Sequence, residues 1–144
     1  YSEEAYKKLE DAQIEQFNSQ FLKYYGNTNR TYINEETQKT ENVEGPIEVS
    51  AHEIISVANL AQQNNIRYEL DDMTGYNENN FYVQIDIYDK KGSPKKNNLN
   101  IEKWEEKNKL EFINKHSNDK YKCTDAVISK VTRKICYMKF EKIY

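Results

Sequence analysis

The sequence predicts an α+β fold: a long N-terminal helix packed on a small antiparallel sheet, with one or two shorter helices and a C-terminal hairpin. Three observations carry this. Apolar residues recur at helical spacing from Tyr6 to Tyr24, "FYVQIDIYD" alternates as a strand does, and "YKCTDAVIS" and "KICYMKFEKI" are two further alternating runs near the C-terminus. A chain of 144 residues suits one domain, 1–144, and at that size folding buries roughly two-thirds of the surface the unfolded chain exposes.

The first helix is read from Ser2 to Tyr25, with Tyr6, Leu9, Ile14, Phe17, Phe21 and Tyr24 on its apolar stripe. Gly26, able to take a left-handed conformation, stops it. Asn27 to Gly45 has no period and reads as a surface loop ending at Pro46. A second helix opens on the capping box Ser50-x-x-Glu53 and should bury Ile54, Val57, Ala58 and Ala61. After "QQNN", "IRYEL" alternates as a strand would, and "DDMTGYNENN" has turn chemistry. In "FYVQIDIYD", Phe81, Val83, Ile85 and Ile87 are expected on one face and Tyr82, Gln84, Asp86 and Tyr88 on the other. Phe17 and Phe21 should insert against Phe81, Val83 and Ile85, while Tyr82 and Tyr88 on the outer face suit protein contact, since Tyr gives large area with a polar tip. "KKGSPKKNN" reads as a loop, and Asn100 to Lys115 as a third helix with Ile101, Trp104, Phe112 and Ile113 inward.

Composition narrows the function. Apolar residues make up 37% and charged residues 31%, but 12% are aromatic and twelve are Tyr, which argues for a thin, ring-rich core over disorder. A net charge of −3 with mixed signs gives no basic face for phosphates, so nucleic acid is not an expected partner. No apolar run reaches the length of about 18 residues that marks a membrane span. His52 and His116, Cys123 and Cys136 lack metal-ligand spacing, the pair Ser50 and His52 is too close on a helix start to converge, and Asp71 to Glu78 lacks the ligand spacing of a calcium loop. Catalytic residues, cofactor and metal are therefore all expected to be none, and the chain is not expected to be an enzyme.

The cysteines depend on register. A last hairpin turning between Ser129 and Lys130 would oppose Cys123 to Cys136 and permit a disulfide. A longer loop centred near Thr132 would pair Cys123 with Phe140 and leave two buried thiols.

Taken together, "AQIEQFNSQFLKYYG", "IEVSAHEIISVANLAQQNN", "YKCTDAVISK" and "ICYMKFEKI" resemble a group of small clostridial proteins with one N-terminal membrane-spanning helix and a pilin-like outline. The layout is similar to the soluble part of a type IV pilin or pseudopilin, whose C-terminal segment is often closed by a disulfide. The resemblance implies a non-enzymatic structural or assembly subunit, extracytoplasmic and at the cell surface. It also implies an anchor, a helix ahead of Tyr1, as the only membrane contact, and self-assembly or secretion and pilus components as protein partners. The alternative from the residues is a soluble protein-binding module of immunity or adaptor type.

Overall fold

The computed structural model describes residues 3–89 and 98–144. It is α+β, with three α-helices and two small sheets. Helix α1 spans Glu3–Leu22 and is followed by strands β1 (Asn27–Ile33) and β2 (Thr40–Pro46), then the short β3 (Val49–Ser50). Next come α2 (Ala51–Arg67) and β4 (Gln84–Tyr88), then a 3-10 turn (Ile101–Lys103) with α3 (Glu106–Lys115), and finally β5 (Lys120–Ile128) and β6 (Ile135–Ile143).

α1 ends at Leu22, three residues before the Tyr25 expected from the sequence: Tyr24 and Tyr25 N–H close back on the Phe21 and Leu22 carbonyls, Tyr25 bridges to Cys123, and Gly26, the expected stop, sits at φ 111°. The segment after it departs from the reading. Asn27 to Gly45 is not a loop but an antiparallel hairpin, with Asn27 opposite Pro46 and Ile33 opposite Thr40. Asn34 makes its turn, accepting Glu36 and Thr37 N–H on Oδ1 while its own N–H donates to the Lys39 carbonyl. Polar side chains hold the ladder, through Tyr32 Oη to Glu41 at 2.6 Å and Thr31 Oγ1 to Asn42 at 3.0 Å, which is why apolar periodicity did not reveal it.

Helix α2 starts as expected, with Glu53 N–H donating to Ser50 Oγ and Ser50 N–H donating to Glu53 Oε1, both at 3.1 Å. Ile54, Val57, Ala58 and Ala61 are buried. "IRYEL" is not a strand, because α2 continues through Arg67 and closes in a turn at Tyr68. The third helix is likewise split, a 3-10 turn at Ile101–Lys103 preceding α3. "KKGSPKKNN", apart from Asn98, lies outside the described residues.

The larger sheet has strand order β3-β5-β6-β4. β3 with β5 and β5 with β6 are antiparallel, but β4 runs parallel to β6, Ile85 opposite Met138 and Ile87 opposite Phe140, so the sheet is mixed. The segment containing α3 carries the chain from β4 to β5, and β6 then inserts between them. α2 covers one face, and the core joins Phe21, Val49, Ile54, Val57, Val83, Ile85, Tyr121, Met138 and Phe140.

Candidate functional site

Two groups of residues are candidates: the polar cluster around β4, and the surfaces that α1 and the hairpin present. The cluster begins with Tyr82. Placed outward by the alternation, Tyr82 is instead fully buried, since the 3-10 turn lies against the outer edge of β4 and covers it. Its hydroxyl donates to Glu102 Oε2 at 2.5 Å. Glu102, itself 1% exposed, also accepts Ile85 N–H at 2.9 Å and Asn100 Nδ2 at 3.1 Å. Burial pushes the Glu102 carboxyl above its ordinary range, against the pull of those donors. Burial likewise pushes the Tyr82 phenol up, and the Glu102 hydrogen bond adds to it.

A second buried carboxylate adjoins the first. Asp86 accepts Asn100 N–H at 2.9 Å, Tyr137 Oη at 2.8 Å, and Gln84 Nε2 at 3.0 Å on each oxygen. Tyr76 stacks on Tyr137, and its N–H donates to Gln84 Oε1, which a Cβ on Gly75 would approach to 2.9 Å and so displace. A cleft of about 230 Å³ reaches Tyr82 and Glu102 between Gln62, Asn65, Ile66, Asp71 and Lys103. The polar atoms at its base are already engaged: Asn65 donates to the Val83 carbonyl at 3.0 Å and accepts its N–H at 2.8 Å. The arrangement braces the β4 edge, and a proton on Glu102 would compete with three donors already aimed at it.

The cysteines follow the longer-loop register. Ser129 Oγ accepts Val131 and Thr132 N–H, Ser129 N–H donates to Lys134, and the turn spans 130–133. Cys123 therefore faces Phe140, and Cys123 and Cys136 are free thiols, not a disulfide. Burial pushes Cys123 up to about 12 and Cys136 up to about 11, so both stay protonated and weakly nucleophilic at neutral pH.

Of the expected helix and sheet contacts, Phe21, Val83 and Ile85 meet in the core, and Phe17 packs at its margin, 5.1 Å from Phe21 between ring centroids. Phe81 does not join them. It is 37% exposed and stacks on Tyr68 at 4.7 Å, with the Lys134 ammonium 4.9 Å from its ring and 5.0 Å from Phe17. Tyr88 is half-buried on the sheet, Lys139 lying over its ring at 4.9 Å. On the other side of α1, Ile14, Asn18 and Leu22 line an apolar groove of about 600 Å³ edged by Asp11, Glu15, Lys23 and Arg133.

The histidines are dispersed. His52 is exposed, and His116 Nδ1 lies 2.7 Å from Asp119, which also meets Lys142 at 3.4 Å. These contacts, His116 first, hold the Asp119 carboxyl below its usual range. Among the described residues no three His, Cys, Asp or Glu side chains converge as a metal cage would.

Sequence reasoning missed Glu102, Asn65 and Asn100. A usable signal existed for Asn65: it continues the buried stripe of Ile54, Ala58 and Ala61 at helical spacing, so its amide had to face the core and find partners.

No family model matches the chain, and neither a curated protein nor a solved structure is detectably similar to it.

Proposed function

We propose that this chain is the globular part of a non-enzymatic, pilin-like structural or assembly subunit that works through protein contacts at the cell surface. In this reading α1 is the outer portion of a helix whose earlier turns anchor the protein, and the domain is a helix on a sheet of pilin layout. The observation that carries it is that the C-terminal half of α1 is fastened to the domain. Phe21 is in the core, Asn18 Nδ2 donates to the Arg133 carbonyl at 3.0 Å while its Oδ1 accepts Ile135 N–H at 2.8 Å, and Arg133 pairs with Asp11 at 2.5 Å. A helix so fastened transmits the position of whatever precedes it to the sheet and its hairpins.

The test is fractionation of cells that make the whole gene product, followed by protease treatment of intact cells. The reading expects the protein to sediment with membranes and to be digested without permeabilisation. A protease-protected protein in the soluble fraction would overturn it and favour the binding-module reading.

A further inference from the structure

We propose that the cleft between α1 and α2 binds a small hydroxylated anion, a sugar carboxylate or sugar phosphate, with the Lys134 ammonium receiving its charge. The site goes beyond the proposed function and does not rest on it. Where two helices of one domain face each other, apolar side chains at helical spacing usually close the gap. Here Gln13, Gln16 and Gln20 of α1 line one side and Gln63 and Arg67 of α2 the other, and a cleft of about 350 Å³ stays open between them. That volume is within the range of small-molecule sites.

The charges lining the cleft are of one sign: Arg67 and Lys134 are there, and no described carboxylate is. Glu10 and Asp11, on the adjoining stretch of α1, pair with Arg133 instead, at 4.0 and 2.5 Å. Lys134 is fixed in place. Thr132 Oγ1 accepts its backbone N–H at 3.2 Å, Ser129 N–H donates to its carbonyl, and its ammonium lies 5.0 Å from the Phe17 ring, 5.2 Å from Tyr68 and 4.9 Å from Phe81. The rings offset part of the charge, but of the three ammonium donors only one has a polar partner among the described residues, the Tyr68 hydroxyl at 3.2 Å. An anion would take the others.

The neutral groups select the rest of the ligand. Asn64, 8% exposed, spends its Nδ2 on the Phe81 carbonyl at 2.6 Å and on Asn65 Oδ1 at 3.2 Å. Its Oδ1 has no donor among the described residues and is the acceptor that Asn64 brings to the cleft lining. A nearly buried amide oxygen without a donor is a position that a ligand hydroxyl satisfies. The four glutamine amides can donate and accept at once, as hydroxyls do, while Phe17 and Leu60 supply an apolar wall for the face of a sugar ring.

Amide-resolved NMR titration of the full chain with glucuronate, glucose 6-phosphate and neutral glucose tests this. We expect saturable binding of an anion with a dissociation constant at or below about 1 mM, shifts centred on residues 13–20 and 60–68, and glucose weaker by about tenfold or more. Tighter glucuronate marks a carboxylate site, and tighter glucose 6-phosphate a phosphate site. Lys134→Gln should raise the dissociation constant about tenfold. Gln16→Glu, which sets a like charge at the exposed rim without touching the core, should raise it about fivefold or more, and Lys107→Gln, exposed on α3 outside the lining, should leave it unchanged. The denaturant midpoint of each variant checks that it is folded. Failure of both anions to saturate by about 10 mM would overturn the inference. So would equal binding of glucose, shifts centred elsewhere, or an affinity indifferent to both Lys134→Gln and Gln16→Glu. Any of these failures leaves the surface-location test of the proposed function standing.

Discussion

Glu102 is the residue whose chemistry differs most from its sequence reading, in which "NIEKWEE" gave no reason to bury a carboxylate. Its partners Tyr82, Ile85 and Asn100 come from three separate segments, and only their assembly creates the site. Because its folded value is raised above the ordinary 4.5, the proton favours the folded state. That contribution is complete below about 4.5 and disappears as pH rises through the raised folded value. The unfolding midpoint of the protein should therefore fall relative to Glu102→Gln across that acidic window and run parallel to it above. A constant difference between the two would show that Glu102 titrates as it does unfolded. The thiols yield a second expectation. With values near 12 and 11, Cys123 and Cys136 should resist a disulfide-exchange reagent in the native state and react once unfolded. Rapid native labelling would contradict their burial.

At the scale of elements, what the sequence made legible depended on local signals. α2 was readable because its cap and its apolar stripe are contiguous, and the closing strands β5 and β6 because two runs rich in β-branched and aromatic residues flank a polar turn, although β6 buries Ile135 to Met138 in succession instead of alternating. The exchange of bonds between Ser50 and Glu53 should be worth about 1 kcal/mol, so Ser50→Ala should lower the stability measured by denaturant by that amount. No change would mean the cap is redundant with the β3 and β5 pairing beside it. β1 and β2 were missed because their pairing is polar and their faces are wet, leaving no hydrophobic period to detect. "IRYEL" was misassigned for the opposite reason: its alternation is real, but Ile66 and Arg67 finish α2, whose preceding amides Asn64 and Asn65 grip the β4 edge. Local alternation lost to a tertiary contact.

For the whole molecule, the class α+β and the placement of Phe21 against Val83 and Ile85 were accessible from pattern, while the parallel pairing of β4 with β6 and the cover over Tyr82 were not, since both depend on a crossover that no local signal encodes. The central claim is that α1 packs its last turns, through Phe21, on the domain's own core. Denaturant unfolding of Phe21→Ala, Phe17→Ala and the exposed control Gln16→Ala, at protein concentrations low enough to exclude oligomers, tests this most directly. Removing a buried Phe ring costs about 3–5 kcal/mol of the roughly 5–15 kcal/mol that holds a domain together. Phe21→Ala should therefore show the lowest midpoint, Phe17→Ala an intermediate one in keeping with its place at the core's margin, and Gln16→Ala the midpoint of the unmodified protein. Equal midpoints for Phe21→Ala and Gln16→Ala would mean that α1 does not pack on its own domain, and would contradict the account.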